Sequence, residues 1–239
     1  METLKGVVVD IIERIYREER INIERAAELC AKAIEGGGLI YLFGTGHSML
    51  MALELFYRAG GLAPIYPILD PNLLGLSGGR LSTELERLPG YAKALFNYYR
   101  PKAGSALIVI SVSGKNAAPV EAALEGKARG LSVVAVTSVE YSKRLRPANP
   151  YGKRLYEVAD VVIDNKVPEG DAAIEVYGRK TSAVSNIANA FILHAIEAEV
   201  VARLARRGVE PELWTSVNVP GGEERNRELL EKYSWIKFL

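Results

Sequence analysis

Leu39-Ile-Tyr-Leu-Phe-Gly-Thr-Gly-His-Ser48 is the stretch of this sequence that decides the fold. Its first five residues are apolar and rich in strand formers, and they run directly into the small, hydroxyl-rich segment Gly44-Thr-Gly-His-Ser48. Ala106-Leu-Ile-Val-Ile110 repeats this arrangement, because it runs directly into Ser111-Val-Ser-Gly-Lys-Asn116. The sequence therefore predicts two buried strands, each followed by a turn suited to ligand binding.

Helical patterns alternate with further strands on both sides of these stretches. Other strands are expected at Ile65–Leu69, with an edge position indicated by its internal proline, at Ser132–Val136 and at Val161–Ile163. Helices are expected within residues 4–35, from Ser48 to about Arg58, from Pro89 to about Tyr99, from Pro119 to Gly130 and from Lys180 to Arg207, and residues 70–88 are expected to form a long loop. Apolar strands that alternate with helices predict an α/β fold with a parallel sheet covered on both faces.

The expected organisation is one domain with three parts. Residues 1–36 form an N-terminal helical segment, residues 37–207 the α/β core and residues 208–239 a C-terminal tail. The tail either crosses to another subunit or packs on its own domain.

The charge balance and the composition argue against several kinds of partner and of covalent cross-link. The chain has 30 basic and 29 acidic residues, which does not favour a nucleic-acid partner. No run approaches the ~18 apolar residues of a membrane helix, and the N-terminus lacks a signal-peptide pattern, so we expect a cytoplasmic protein without a membrane partner. The single Cys30 excludes an intrachain disulfide. The absence of glutamine, with only three methionines, suggests a heat-adapted source.

The chemistry of both turns points to an anionic ligand. Glycine allows the backbone to approach a phosphate closely, and the free amides and dipole at the start of the following helix favour negative charge. A dinucleotide site is disfavoured, although Asp70 follows the second strand. Its fingerprint needs a third glycine after Gly44 and Gly46, where this chain has Met49. We predict no cofactor, and the few histidines and cysteines show no metal-binding spacing, so we predict no metal.

Both turns resemble those of the sugar isomerase (SIS) domain family. Gly44-Thr-Gly-His-Ser48 looks like the first sugar-binding turn of that family, and Ser111–Asn116 resembles its Ser-x-Ser-Gly-x-Thr/Asn phosphate loop. Phe56-Tyr-Arg-Ala-Gly-Gly61 resembles a stretch found in phosphoheptose-isomerase-like and related SIS proteins, and the similarity spans about residues 5–205.

This resemblance implies a three-layer αβα sandwich with a five-stranded, flavodoxin-like parallel sheet. It also implies a phosphorylated sugar as ligand and a homodimer or homotetramer with the site at a subunit interface. The substrate-binding residues that it implies are Gly44, Thr45, Gly46, Ser48, Ser111, Ser113, Gly114, Lys115, Asn116, Thr181 and Ser182.

The catalytic residues are less clearly indicated. Aldose–ketose isomerisation needs a base, for which a carboxylate in a partly dry pocket is suited. Glu54 resembles the catalytic glutamate position of phosphoheptose isomerases, and Glu175 precedes Thr181-Ser182 much as the base does in amidotransferase-type SIS enzymes. The alternative for each is a solvated carboxylate. His47, within the first turn, is the third catalytic candidate and is expected to face the sugar, with a histidine that only stabilises the turn as the alternative.

Other ionisable residues are expected to have structural roles. The catalytic histidine of phosphoheptose isomerases lies near the start of the long helix, where this chain reads Ser185-Asn186. His194 is interpreted as a packed core or interface residue, and Glu84 and Glu86 are expected to face solvent. The predicted function is a sugar-phosphate isomerase, with a non-catalytic phosphosugar sensor or a phosphosugar lyase as the alternatives.

Overall fold

The computed structural model describes all 239 residues and contains two sheets. The larger sheet consists of β1 (Ile40–Gly44), β2 (Ile65–Pro67), β3 (Ala106–Ile110), β4 (Ser132–Thr137) and β5 (Val161–Asp164). The smaller consists of β6 (Ala172–Val176) and β7 (Arg179–Ala183). The α-helices are α1 (Glu2–Glu18), α2 (Arg20–Glu35), α3 (Leu50–Leu55), α4 (Pro71–Leu74), α5 (Gly79–Arg87), α6 (Tyr91–Tyr99), α7 (Ala117–Ala128), α8 (Val139–Arg144), α9 (Ser185–Arg206) and α10 (Gly222–Lys232).

The larger sheet is entirely parallel, with the strand order β2-β1-β3-β4-β5. This is the flavodoxin-like order, so the predicted fold class is confirmed, and β2 occupies the edge position that Pro67 indicates. The strand order reverses between β1 and β3, where ligands bind in sheets of this type. In register, Gly44 lies opposite Ile110, so both strands end at the same level and their turns are neighbours.

Two hydrophobic layers cover the sheet, because successive side chains of each strand point to opposite faces. Ile40 and Leu42 pack with apolar residues of α1, α2, α3 and α9. Tyr41 and Phe43 pack on the other face, with α6, α7 and the C-terminal tail. The sheet is thus the middle layer of an αβα sandwich.

The predicted loop over residues 70–88 is wrong, because its glycines and proline start and end helices. Pro71 stands in the first turn of α4, where Asp70 Oδ1 accepts hydrogen bonds from the amides of Asn72 at 2.7 Å and Leu73 at 3.3 Å. Helix α5 follows at Gly79. Helix α6 begins two residues later than Pro89, because Gly90 precedes it with φ +88°.

The predicted start of the long helix at Lys180 is also wrong. Residues 172–183 instead form an antiparallel hairpin, the β6–β7 arm, and α9 begins at Ser185. The arm turns at Tyr177-Gly178, whose φ angles of +49° and +71° are those of a tight type I′ hairpin turn. Thr181 and Ser182 therefore lie on a strand.

The C-terminal tail packs on its own domain. Trp214 is buried, its amide donates to the Gly61 carbonyl at 2.9 Å, and Leu213 forms an isolated β-bridge with Leu62. No helix has the length and apolar character needed to cross a membrane.

Candidate functional site

The first turn depends on glycine at the end of β1. A Cβ at Gly44 would stand 2.6 Å from the backbone carbonyl group of Ser48, so no other residue fits without moving the turn. The chain then enters a 3₁₀ turn over Gly46–Met49, in which the Ser48 amide donates to the Thr45 carbonyl at 3.1 Å. This tight path places Thr45, His47 and Ser48 at the carboxyl end of the sheet.

The second turn depends on Gly114 in a similar way. Gly114 has φ +57°, and a Cβ there would lie 3.0 Å from Thr137 Oγ1 and 3.1 Å from Leu155 Cβ. The Gly114 amide donates to Ser111 Oγ at 3.2 Å, and the Gly114 carbonyl accepts from the Leu155 amide at 2.8 Å. The loop is therefore held in one conformation from both sides.

This conformation leaves backbone donors unused. The Lys115 carbonyl accepts from the Ala148 amide at 3.0 Å and from Asn149 Nδ2 at 2.8 Å, whereas the amides of Ser113 and Lys115 donate to no other atom of the chain. Helix α7 starts directly after this loop, so its positive end adds to the same site. Such an arrangement binds anions.

A cavity of about 320 Å³ joins the two turns. Six predicted site residues line it: Thr45, His47, Ser48, Ser111, Ser113 and Asn116. Gly44, Gly46 and Gly114 shape the turns without lining the cavity, and Lys115 is not among the lining residues. The structure therefore brings the two turns together in one pocket.

Six lining residues were not among the predicted site residues: Glu86, Val112, Tyr141, Gly170, Asp171 and Ser185. Glu86 does not face solvent as expected, since it is half-buried and its Oε1 accepts from Asn116 Nδ2 at 2.8 Å. Glu84 is exposed, as expected. The amphipathic pattern of α5 was the available signal, and the glycines around it obscured that pattern.

Asp171 already occupies the positive end of α9. Its Oδ1 accepts from the amides of Val184 at 3.0 Å and Ser185 at 2.8 Å, and its Oδ2 accepts from Ser185 Oγ at 2.6 Å. The dipole of α9 is thereby neutralised locally. The start of α7 has no such carboxylate and remains available to an anionic ligand in this pocket.

Glu54 lies outside the pocket lining, at the end of α3. Its Oε1 lies 2.7 Å from Arg58 Nη1 and 3.2 Å from His194 Nε2. His194 Nδ1 lies 3.3 Å from Glu197 Oε2, and Glu197 Oε1 accepts from the Leu62 amide at 2.9 Å. His194 is 40% exposed and Glu54 28% exposed, so this carboxylate–imidazole pair is accessible from the protein surface.

The remaining predicted residues lie on the β6–β7 arm. Glu175 and Thr181 are exposed, Glu175 is paired in register with Lys180, and Ser182 has the strained φ of +62°. None of the three predicted arm residues lines the pocket. No group of three or more histidine, cysteine or acidic side chains is arranged to hold a metal ion.

Comparison with known proteins gives consistent matches. The sequence matches the family model of the SIS domain over residues 5–138. It is 38% identical over 224 residues to a UPF0309 protein of Geobacillus thermodenitrificans, covering 93% of this chain and 90% of that one. It is 41% identical over 213 residues to a UPF0309 protein of Brucella canis, covering 88% and 86% of the two chains.

Solved structures share the fold at low sequence identity. A phosphoheptose isomerase from Francisella tularensis is 13% identical, with a TM-score of 0.56 over 83% of this chain and 95% of that one. A phosphoheptose isomerase from Neisseria gonorrhoeae is 16% identical, with a TM-score of 0.50 over 80% and 92% of the two chains.

Proposed function

Because this chain belongs to the SIS domain family, we propose that it binds a phosphorylated sugar in the pocket between its two turns and acts as a sugar-phosphate aldose–ketose isomerase. The observation that carries the binding proposal is the pair of unused amides, at Ser113 and Lys115, beside the start of α7. The phosphoheptose isomerases with the same fold favour the isomerase reaction among the chemistries that such a pocket allows.

The phosphate group belongs at the Ser111–Lys115 loop. A phosphate needs several hydrogen-bond donors, and this loop offers two free amides together with the hydroxyls of Ser111 and Ser113. The sugar then extends towards His47 and Ser48 at the neighbouring turn. In this orientation His47 lies close to the sugar, as the sequence analysis expects.

Replacing both Ser111 and Ser113 by alanine should weaken phosphosugar binding by about 1–3 kcal/mol, the size of lost charge-assisted hydrogen bonds. This corresponds to a roughly 5- to 150-fold increase in Kd, measurable by titration calorimetry. Ser234→Ala is the matched comparison, because it removes an exposed serine hydroxyl from the C-terminal tail, outside the pocket lining, and should leave Kd unchanged. An unchanged Kd in the double serine variant would place the phosphate elsewhere.

Isomerisation requires two proton movements. A base removes the C2 proton of the aldose and a proton is returned to C1, while the hydroxyl proton on O2 leaves and the carbonyl oxygen O1 gains one. We assign these transfers to Glu54 and His194, because a carboxylate and an imidazole in hydrogen-bond contact can divide them. Helix α3, which carries Glu54, begins directly after the first turn.

Glu175 remains the second choice for the base. It is exposed on the β6–β7 arm, so it could act only at a site that the arm reaches, such as the pocket of a neighbouring copy. A non-catalytic phosphosugar sensor is the alternative function. One observation favours it: neither Glu54 nor Glu175 lines the pocket of a single chain.

We also propose that the protein is a homodimer or homotetramer. The N-terminal helices leave Val9, Tyr16 and Ile21 exposed by 50%, 58% and 71%. An apolar cleft of about 450 Å³ lies beside Tyr16, lined also by Phe191 of α9. Such an exposed apolar surface is typical of an interaction site.

Light scattering at micromolar concentration should therefore give a multiple of the 26.1 kDa chain mass. Tyr16→Glu should lower the measured mass, because it places a charge on this apolar surface. The control Tyr98→Glu alters a tyrosine of similar exposure, 65%, on the other face of the sheet. A monomer mass for the unmodified protein would contradict the proposal.

A further inference from the structure

Glu86 gives the pocket a carboxylate that the proposed phosphate site does not use. It lies in the last turn of α5, and its Oε1 accepts from Asn116 Nδ2 at 2.8 Å. Glu86 makes no salt bridge, and its second oxygen, Oε2, accepts no hydrogen bond from the chain. One oxygen thus holds Asn116 in place while the other is free for a ligand.

Asn116 adds a second unused acceptor to the same wall. Asn116 Nδ2 already donates to Glu86, so the atom of this side chain that is left for a ligand is the acceptor Oδ1. Asn116 Oδ1 is buried and has no hydrogen-bond partner. A buried acceptor without a partner is unfavourable, so this atom calls for a donor group.

The pocket is therefore divided by hydrogen-bond chemistry. On the Ser111–Lys115 loop it has donors without a partner in the chain, namely the free Ser113 amide and the hydroxyl of Ser113. Its unused acceptors lie at Glu86 and Asn116, where an anionic group would be repelled by the carboxylate. A ligand that fits both parts is anionic at one end and carries hydrogen-bond donors at the other.

We infer that the Glu86–Asn116 pair binds hydroxyl groups of the sugar and selects phosphosugars that carry free hydroxyls at that position. The inference rests on the proposed function and specifies the substrate class of the same pocket. Asn116 thereby becomes a sugar-hydroxyl acceptor rather than a phosphate ligand. Phosphosugars with a carboxylate at this position, such as lactyl ethers, are disfavoured.

The test compares Glu86→Gln with the unmodified protein by titration calorimetry. Glutamine keeps the size of the side chain and an oxygen that can accept from Asn116, but it removes the charge. The ligands are inorganic phosphate, a panel of fructose 6-phosphate, glucose 6-phosphate and sedoheptulose 7-phosphate, and the lactyl ether N-acetylmuramic acid 6-phosphate. Glu84→Gln is the matched control, since Glu84 lies on the same helix and its side chain is 76% exposed.

In Glu86→Gln, the Kd for the best-bound sugar of the panel should rise about 10-fold, because a charge-assisted hydrogen bond becomes a neutral one. The Kd for inorganic phosphate should change by less than about 2-fold, and the lactyl ether should gain affinity relative to the panel. Glu84→Gln should change none of these values.

Two results would overturn the inference. If the variant weakens the binding of phosphate and of sugar equally, or weakens neither, Glu86 does not recognise the sugar. The proposal that the pocket binds a phosphosugar would be unaffected by this result. If the unmodified protein binds phosphate but no sugar of the panel, the proposed function fails and this inference fails with it.

Discussion

Replacing Glu54 by glutamine should reduce the kcat of isomerisation by about 10²–10⁴-fold, which is the usual contribution of a positioned base. Glutamine keeps the size of the side chain and an oxygen for Arg58 and His194, so the packing of α3 on α9 should persist. Substrate binding should change little, because glutamine keeps the size and the hydrogen-bonding oxygen of the side chain and loses only its ability to take up the proton. The loss should therefore appear in kcat rather than in the Kd for the phosphosugar.

The measurement is exchange of solvent deuterium into the substrate carbon next to the carbonyl, across a panel of phosphosugars. Glu175→Gln is the matched control, since it removes the other proposed base from the exposed arm. Loss of exchange in the Glu54 variant alone would support the assignment, and loss in the Glu175 variant alone would transfer it to the arm. If the unmodified protein binds these sugars tightly without any exchange, the isomerase proposal is wrong and the sensor alternative, or the lyase, takes its place.

Replacing Lys166 by methionine should lower the free energy of unfolding by about 3–5 kcal/mol, because it leaves the largely buried carboxylates of Glu19 and Asp164 without their cation. Lys166 follows β5, and its side chain is 8% exposed. Its Nζ lies 2.7 Å from Glu19 Oε1, 2.9 Å from Glu18 Oε2 and 3.2 Å from Asp164 Oδ2. The amine thus joins the junction of α1 and α2 to the end of the sheet.

The stability difference between the Lys166→Met variant and the unmodified protein should depend on pH, because the cluster stabilises the fold only while its groups are charged. Burial acts to lower the pKa of Lys166, but hydrogen bonds with Glu19 and Glu18 outweigh it and the pKa is raised, so the amine is protonated at neutral pH. The hydrogen bond from Lys166 lowers the pKa of Glu18. Stabilisation from a carboxylate with a lowered pKa is lost as the pH falls, so the difference between the two proteins should shrink below about pH 4.

Urea unfolding at several pH values measures this difference. Lys143→Met is the control, because Lys143 is exposed and pairs only with Glu140, at 2.9 Å. An exposed pair of this kind contributes about 0–1 kcal/mol, so the control should unfold almost as the unmodified protein does. Equal stability of the two variants would show that the Lys166 cluster does not hold the helices to the sheet.

The five strands of the parallel sheet were predicted correctly, because each is specified by a short run of neighbouring residues. Apolar runs such as Ala106–Ile110 predicted buried parallel strands, because a strand covered on both faces has no polar positions. The predicted start of the long helix was wrong because residues 172–183 contain no single strong sequence signal for a hairpin. Their hairpin depends on two positive φ angles, at Tyr177 and Gly178, of which only Gly178 is an obvious candidate in the sequence.

By itself, the sequence determined the parallel α/β fold and the two turns at the ends of β1 and β3, because the glycine requirement at Gly44 and the apolar strands are local properties of the chain. The tertiary structure decided which side chains meet. Glu86 and Asn116 are 30 residues apart, and Glu54 and His194 are 140 residues apart. Contacts of this kind depend on how α5 packs beside α7 and how α3 packs against α9. That packing is set by the whole hydrophobic core, and no local pattern around either partner specifies it.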